Sequence, residues 1–366
     1  MTACQTRNNT SRKGIENSRD NLVSYAKNFS VYEDSIGYEM IFRNPWDSTA
    51  ILKRIFLIPD TLQVEDSLFG GDVLRTPVKS VVSFSSTQWA VFLRLGEISR
   101  VKGILESKYT LNDSIQQLIA LGHIADVGME SSYNIEKMLQ IDPDLILYSP
   151  YYEGNTKSLE VLGTTLLPFA DYLENDPLGR MEWMKVVGFL TGREKETDIW
   201  FDSVVDQYQQ LKELCRNVSY RPTVLSDKAF NGQWYLAGGK SYIAQLFADA
   251  GANYIWSDNE NTSSFPLDME SILNKAIHAD FWRMTNSLSH PLTYKLLGEE
   301  NPIYPIFDAY KNRKIIICDI MATAYFEQSQ YEPHILLSDF IYHFHPEIME
   351  EYDSTYHPKY YYMLNN

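Results

Sequence analysis

Hydroxyl side chains follow a short apolar segment in the first half of the sequence. Residues 78–84 are predicted to form a buried strand, and Ser85, Ser86 and Thr87 then supply capping hydroxyls for a helix that starts at Trp89. In open α/β sheets, ligands bind where a strand gives way to a helix at the carboxyl edge, and helix-start amides favour anionic groups. A capped turn without any ligand has the same sequence, so both interpretations remain open at this segment.

Motifs for enzymatic or metal chemistry are weak. The sequence contains no G-x-S-x-G elbow, complete Walker loop, H-E-x-x-H helix or C-x-x-C pair. The segment from Gly238 to Ser241 resembles the end of a phosphate-binding loop, but Trp234 occupies the position of the leading glycine. His343 and His345 flank one residue at a helix end before Pro346, and no third ligand is evident. We therefore predict neither an enzyme nor a resident cofactor or metal.

Charge and composition limit the partners. The 366 residues carry a formal net charge of −16 and no basic run, which argues against nucleic-acid binding. No stretch of 18 apolar residues occurs that would span a membrane. Cys215 and Cys318 lie in apolar contexts typical of buried thiols. Thr2-Ala3-Cys4 matches the end of a bacterial lipoprotein signal, although the preceding apolar part is absent from the sequence, so we expect lipidation at Cys4.

A long amphipathic segment divides the sequence. Residues 193–217 contain no Gly or Pro, and their apolar side chains recur with the period of one helical face. The segments before and after it alternate buried strands with helices in a similar order. We predict a helix joining two α/β lobes, the alternative being an ordinary surface helix. Residues 29–59 alternate apolar and polar side chains around Ile36-Gly37, which predicts a β-hairpin.

Four segments carry a family resemblance. They are TPVKSVVSFSSTQWAVFLRLG, VGMESSYNIEKMLQIDPDLIL, YLAGGKSYIAQLFADAGANYI and FPLDMESILNKAIHADFW. Together they resemble the helical-backbone class (class III) of periplasmic substrate-binding proteins of ABC importers, which carry ferric siderophores, haem and vitamin B12. The resemblance covers about residues 76 to 349, and the N-terminal hairpin resembles extensions of Bacteroidetes-type members. It implies an α/β fold of two Rossmann-like lobes joined by a single long helix.

The resemblance also implies a domain plan and partners. Residues 1–28 would form a lipoprotein tether, 29–192 the N-terminal lobe with its hairpin, 193–217 the linking helix and 218–366 the C-terminal lobe. The protein would be a periplasmic, lipid-anchored monomer that serves an ABC permease and its ATPase. Glu136 and Glu270, at equivalent places in the two lobes, would dock on permease arginines. From the sequence alone, each is better explained as a first-turn glutamate favoured by the helix dipole, and it is the resemblance that favours docking.

In this family the ligand lies between the lobes. The resemblance assigns the cleft to Ser85, Ser86, Thr87, Gln88, Trp89, Glu130, Tyr148, Tyr151, Tyr152, Trp234, Phe265, Arg283, Tyr325 and Phe326. A small-molecule metal chelate is expected, with an iron complex (ferric siderophore or haem) as the first choice and a corrinoid, or a stand-alone surface receptor, as alternatives.

Three features leave the ligand open. Two tryptophan positions that stack on the corrin in vitamin B12 binders are Glu130 and Ser149 here, which argues against B12. Arg283 is the single arginine near a predicted cleft loop, although siderophore sites use several. The carboxylates of Glu130 and Glu327 would oppose an anionic ligand unless each pairs with a cation.

Overall fold

The computed structural model describes residues 19–151, 156–287 and 291–365. The predicted lipidation site Cys4 and the predicted cleft residue Tyr152 lie outside these ranges. None of the helices in the described ranges combines the length and hydropathy needed to cross a bilayer.

An N-terminal sheet precedes the first lobe and is larger than the predicted hairpin. It contains β1 (Phe29–Asp34), β2 (Gly37–Asn44), β3 (Asp47–Pro59) and β4 (Asp72–Thr76) in that order. The turn at Ile36-Gly37 joins β1 to β2 antiparallel as expected, but β3 adds a second antiparallel pair and β4 runs parallel to β3. Phe29 and Phe42 face the lobe and pack on Trp183, with ring centroids 4.6 and 5.9 Å away.

The N-terminal lobe alternates strands and helices. Its strands are β5 (Val81–Ser83), β6 (Val101–Ile104), β7 (Ala125–Asp126), β8 (Gly128–Met129), β9 (Ser132–Tyr133), β10 (Leu145–Tyr148) and β11 (Thr165–Pro168). Its helices are α1 (Ser86–Arg94), α2 (Asp113–Ala120), α3 (Ile135–Ile141), α4 (Pro177–Glu182) and α5 (Met184–Thr191). The parallel sheet has the order β11-β10-β5-β6-β7, and β8 and β9 form a small hairpin.

The predicted linking helix is α6 (Glu194–Leu214). Gly192, in the left-handed region at φ +71°, ends α5 directly before it. The apolar stripe of α6 divides between the lobes: Phe201 and Val204 belong to the N-terminal core, whereas Tyr208 and Leu211 belong to the C-terminal core. One helix thus contributes to both cores, and at 1.5 Å per residue it spans roughly 32 Å.

The C-terminal lobe repeats the pattern. Its strands are β12 (Thr223–Ser226), β13 (Ala229–Phe230), β14 (Gln233–Leu236), β15 (Asn253–Tyr254), β16 (Phe265–Leu267), β17 (Phe281–Asn286), β18 (Ile315–Asp319) and β19 (Tyr362–Met363). Its helices are α7 (Tyr242–Asp249), α8 (Met269–Ala276), α9 (Tyr294–Glu300), α10 (Asp308–Lys311), α11 (Tyr325–Gln328), α12 (Pro333–Phe344) and α13 (Pro346–Tyr352). The main sheet has the order β15-β12-β17-β18-β19, parallel except for β19, and β13, β14 and β16 form a second sheet.

The segment 19–28, predicted as part of a polar tether, lies on the N-terminal lobe. The buried carboxylate of Glu182 accepts hydrogen bonds from the backbone N–H groups of Ser24, Tyr25 and Ala26 at 2.7–2.9 Å. The buried carboxylate of Glu174 accepts from those of Lys27 and Asn28 in the same way. These two acids satisfy backbone donors that no strand pairs, and they thereby fix this irregular segment on the lobe.

Candidate ligand-binding cleft

A cavity of about 480 Å³ lies where the strands of both lobes end. The N-terminal lobe contributes residues that follow β5, β6, β10 and β11, and the C-terminal lobe contributes residues that follow β18. The lining consists of Phe84, Ser85, Ser86, Thr87, Trp89, Leu105, Glu106, Tyr109, Thr110, Leu111, Glu130, Ser149, Tyr151, Asp171, Tyr172, Arg180, Ile320, Met321, Ala324, Phe326, Glu327 and Gln330. Ligands bind at this edge of open α/β sheets because the loops there are not constrained by pairing.

The wall after β5 is a capped helix start. The Ser85 side chain accepts a hydrogen bond from Thr87 N, and the Gln88 side chain accepts from Phe84 N at 2.8 Å and from Ser85 N at 3.1 Å. This capping box keeps the Ser85–Thr87 turn open toward the cavity. The capped turn of the sequence interpretation is therefore confirmed, and it lines the cavity.

Aromatic side chains form the rim. Tyr109, Tyr151 and Phe326 are each about half exposed, and the ring centroid of Tyr151 lies 5.4 Å from that of Tyr172. Burial raises the pKa of both Tyr151 and Tyr172, and the nearby Glu130 and Asp171 raise it further. The two phenols are therefore neutral hydrogen-bonding groups with flat apolar faces, suited to a large ring or chelate.

Carboxyl groups outnumber cations in the cavity. Burial raises the pKa of Glu130, Asp171 and Glu327, with Glu106 adding to the effect at Glu130 and Arg180 opposing it at Asp171. Arg180 is the cation among the lining residues in the described ranges.

Contacts between the lobes close one side of the cavity. Ser86 Oγ donates to Phe326 O at 3.1 Å, and Leu111 N donates to Glu327 Oε1 at 2.6 Å. The Tyr331 hydroxyl donates to Thr87 O. The segment from Phe326 to Tyr331, carried by the C-terminal lobe, thus touches the turn after β5 and the loop after β6.

Half of the predicted cleft residues meet in this cavity. They are Ser85, Ser86, Thr87, Trp89, Glu130, Tyr151 and Phe326. Ser149 and Glu327, which the sequence suggested would affect the choice of ligand, also line the cavity.

Other predicted cleft residues lie elsewhere for identifiable reasons. Gln88 is buried behind the turn that it caps, and Tyr148 is buried at the end of β10, where burial raises its pKa to about 12. Trp234 lies in the C-terminal core, where its indole N–H donates to Ser226 O at 2.9 Å. Phe265 pairs with Leu236 in the small second sheet.

Arg283 and Tyr325 form a buried polar cluster beside the cavity. Arg283 donates to Asp227 Oδ1 at 2.7 Å and to the Tyr361 hydroxyl at 3.0 Å, so its guanidinium is already neutralised inside the lobe. The buried Tyr325 hydroxyl lies 3.3 Å from that of Tyr242. Arg283 is therefore not the ligand-facing arginine that the sequence suggested.

Sequence reasoning missed Arg180, Asp171 and Tyr172. Asp171 and Tyr172 lie in the turn shortly after the end of β11, so the rule used for Ser85 would have found them. Arg180 lies one turn into α4, whose start is marked by the Asp176 cap and Pro177. Its guanidinium stacks over the Tyr242 ring at 4.1 Å, a contact between lobes that no sequence pattern indicates.

The remaining predicted residues have plain structural positions. Glu136 and Glu270 are exposed in the first turns of α3 and α8, one in each lobe. His343 Nε2 lies 2.8 Å from Tyr361 O, and His345 Nε2 lies 3.2 Å from Gly251 O. Within the described ranges, no group of three or more His, Cys, Asp or Glu side chains could hold a metal ion. Cys215 and Cys318 are buried thiols, as predicted.

Curated relatives are archaeal. The chain is 32% identical over 255 residues to an uncharacterized lipoprotein of Methanocaldococcus jannaschii, covering 66% of this chain and 60% of that relative, so it spans less than two thirds of that protein. It is 26% identical over 193 residues to a cobalamin-binding protein of Halobacterium salinarum, covering 52% of this chain and 48% of the relative.

Solved structures share the fold. A TroA-like periplasmic binding protein from Veillonella parvula matches with a TM-score of 0.60 and 15% identity, covering 80% of this chain and 96% of that one. A periplasmic heme binding protein from Pseudomonas aeruginosa gives 0.57 and 16%, covering 74% and 93%. A periplasmic vitamin B12 binding protein of Vibrio cholerae gives 0.55 and 13%, covering 75% and 99%.

The match that decides the family extends through both lobes. The model of the periplasmic binding protein family matches residues 81–320, from β5 to the residue after β18. This range includes both parallel sheets, the linking helix and most of the cavity lining. The chain therefore belongs to the periplasmic binding protein family, whose members bind solutes as transported ligands rather than acting as enzymes.

Proposed function

We propose that this protein is the extracytoplasmic substrate-binding component of an ABC importer, and that it delivers a metal chelate to the permease. The observation that carries this proposal is the cavity of about 480 Å³ between the strand ends of the two lobes. Its aromatic rim and scattered polar groups suit a chelate with a large organic ligand.

The first candidate ligand is an iron complex. Among the proteins of similar structure, one from Staphylococcus epidermidis is described as a possible iron-binding protein, and the one from Pseudomonas aeruginosa is a heme binding protein. Haem would take an axial ligand from Tyr109, Tyr151 or Tyr172, the phenols among the lining residues. Because burial and nearby carboxylates raise the pKa of Tyr151 and Tyr172, phenolate ligation by either is disfavoured. A ferric chelate that keeps its own six donors avoids this cost.

A corrinoid is the second candidate. The Halobacterium salinarum relative is named as a cobalamin-binding protein. The exposed faces of Tyr151 and Phe326 provide stacking surfaces for a macrocycle, in place of the tryptophans absent at Glu130 and Ser149.

Attachment to a membrane through Cys4 and a monomeric state belong to the same proposal. The name of the Methanocaldococcus jannaschii relative supports the lipid anchor. Residues 5–18 would then connect the anchor to the segment 19–28 that lies on the N-terminal lobe.

Docking on the permease is assigned to Glu136 and Glu270. Both carboxylates are exposed and lie outside the cavity lining. Charged rim residues set docking orientation and association rate more than ligand affinity. The variants Glu136→Lys and Glu270→Lys are expected to abolish uptake by cells while the ligand dissociation constant stays unchanged.

Two charge reversals serve as controls for docking. Glu160→Lys and Glu350→Lys change exposed glutamates on other parts of the N- and C-terminal lobes and should leave uptake intact. Loss of ligand affinity in Glu136→Lys or Glu270→Lys would contradict the docking assignment, and so would loss of uptake in the controls.

The ligand class is tested by titration. Trp89 lines the cavity, so a bound chelate with visible absorbance should quench tryptophan fluorescence. We expect saturable, equimolar quenching by at least one of haemin, cyanocobalamin, aquocobalamin and ferrioxamine B, and loss of most affinity in Tyr151→Ala. The absence of saturable quenching by all four complexes would overturn the proposed function.

A further inference from the structure

The charges that line the cleft are unbalanced. Four lining residues carry carboxyl groups, Glu106, Glu130, Asp171 and Glu327, against one guanidinium, that of Arg180. Glu106, Glu130 and Asp171 line the same cavity as Tyr151, and all three raise the pKa of its phenol.

Arg180, the cation among the lining residues that the structure describes, already has partners within the protein. Arg180 donates to Tyr172 O at 3.2 Å and to Gln330 Oε1 at 3.4 Å, and it lies over the Tyr242 ring. Asp171 is also a charge partner of Arg180. A ligand anion would have to compete with these four contacts.

Two buried carboxyl oxygens on the cavity wall lack partners. Asp171 Oδ2 and Glu327 Oε2 have no hydrogen-bond partner among the described residues, although the side chains are 2% and 7% exposed. Glu327 approaches from the C-terminal lobe and Asp171 from the N-terminal lobe. A buried carboxyl oxygen without a donor is destabilising, so a donor supplied by the ligand would relieve both sites.

We propose that the cleft selects a metal complex that carries net positive charge and presents hydrogen-bond donors to Asp171 and Glu327. This inference rests on the proposed function and narrows the ligand class within it. Ammonium, amidinium or amide N–H groups at the periphery of the complex would reach the two open oxygens, and the faces of Tyr151 and Phe326 would also favour a cation. Anionic chelates, such as ferric tris-catecholates, would meet four carboxyl groups, and the cation among the described lining residues, Arg180, already has protein partners.

Charge selection can be measured with pairs of complexes of nearly equal shape. Ferrioxamine B bears a free ammonium group, which acetylation converts into a neutral amide. Aquocobalamin is a cation, whereas cyanocobalamin is neutral. Isothermal titration calorimetry of the full chain should show tighter binding of the charged member, by about tenfold, in at least one pair. The preference should shrink at high salt, because ions screen the rim carboxylates.

Variants locate the effect. Glu130→Gln, at the exposed rim, and the double variant Asp171→Asn/Glu327→Gln should each lower the ratio of the affinity for the charged complex to that for the neutral complex, from about tenfold towards one. Glu350→Gln, on α13 and outside the lining, should change neither. Thermal unfolding checks that each variant folds, and the rim variant keeps the test valid if the buried double variant does not.

The outcomes separate this inference from the proposed function. If the neutral member binds equally or more tightly in every pair that binds, charge selection is wrong while the importer function stands. Equal preferences in wild type and Glu130→Gln would also contradict it, because the charge would then be sensed elsewhere. If none of the four complexes of the fluorescence titration binds, the proposed function fails and this inference fails with it. If haemin alone binds, the importer function stands and charge selection is wrong, because haemin carries two propionates and no cationic group at its periphery.

Discussion

At the scale of single residues, two buried carboxylates outside the cleft hold the N-terminal segment through hydrogen bonds. Glu174 and Glu182 are 3% and 0% exposed, and between them they accept hydrogen bonds from the five backbone N–H groups of residues 24–28. Lys185 lies 3.4 Å from Glu182 and offsets its charge. Hydrogen bonds to a charged acceptor are stronger than those between neutral groups, so these two acids fix the N-terminal segment.

Replacing one of these acids should therefore destabilise the fold. In Glu182→Gln, one accepting oxygen becomes an NH₂ group that faces backbone donors. We expect a loss of about 3 kcal/mol in the free energy of unfolding, the upper part of the range for a buried donor left unpaired. Urea denaturation followed by circular dichroism measures it.

The exposed Glu160→Gln serves as the matched control, with an expected change within about 0.5 kcal/mol. Indistinguishable denaturation midpoints for Glu182→Gln and Glu160→Gln would show that the segment 24–28 contributes nothing to stability.

Titration of the cleft acids makes ligand binding depend on pH. Burial raises the pKa of Glu130, Asp171 and Glu327 above their ordinary values of 4.5, 3.8 and 4.5. A cationic ligand stabilises the ionised forms, lowers these pKa values and so releases protons on binding. Its affinity should thus fall as the pH is lowered through the raised pKa values, beginning above the ordinary range.

Calorimetry with ferrioxamine B between pH 8 and pH 5 measures this dependence, in buffers of different ionisation enthalpy. Proton release should increase toward the acidic end. Affinity that is flat with pH, or proton uptake on binding, would be inconsistent with carboxylates that contact the ligand.

At the scale of elements, the junction of α5 and α6 sets the direction of the linking helix. A Cβ added at Gly188 would lie 2.3 Å from Thr197 Oγ1 and 3.2 Å from Arg193 O, both in the first turn of α6 or just before it. Thr197 is fully buried and donates to the backbone of the same turn. The glycine therefore allows the two helices to approach closely.

Gly188→Ala should push these helices apart. Despite the better helix propensity of alanine, we expect a net destabilisation of about 1–3 kcal/mol, typical of overpacking in a well-packed core. Asp202→Ala, on the exposed face of α6, should change stability by less than about 0.5 kcal/mol. Equal unfolding free energies for the two variants would show that α5 and α6 can move apart at this contact without loss of stability.

Sequence patterns indicate helices and strands well where the spacing of apolar residues alone determines the structure. Residues 145–148 form β10, and their four consecutive apolar side chains are typical of a strand buried on both faces. The stripe of α6 follows the predicted helical face. Residues 177–191 form two helices, α4 and α5, that meet at Trp183, whose ring packs on Phe29 and Phe42. That break depends on a tertiary contact with the N-terminal sheet, which periodicity cannot register.

Part of the cleft was predictable, because some of its residues follow from local patterns in the sequence. Ser85 was found because the end of the strand before it is a local signal, whereas Tyr151 was assigned through the family resemblance. Trp234 and Arg283 were expected in the cleft but point into the lobe. There the Trp234 indole N–H donates to Ser226 O, and the Arg283 guanidinium donates to Asp227. Tertiary hydrogen bonds of this kind have no signature in the spacing of one sequence.

At the scale of the whole molecule, a single helix and direct contacts connect the lobes. The contacts from Ser86, Leu111 and Tyr331 already bridge the cleft. A helix that enters both cores resists bending more than paired flexible strands, so large hinge closure is not expected. Small-angle X-ray scattering with and without saturating ferrioxamine B or aquocobalamin should give equal radii of gyration within error, whereas a clear decrease would reveal domain closure.

The position of a bound metal tests the central claim most directly. Crystals soaked with ferrioxamine B and with aquocobalamin can be measured at the iron and cobalt absorption edges, and the anomalous map locates each metal without reference to the organic ligand. We predict a peak, for at least one complex, in the cavity between Tyr151 of the N-terminal lobe and Phe326 of the C-terminal lobe. Metal peaks confined to the outer surface, or no peak with either complex, would contradict the account.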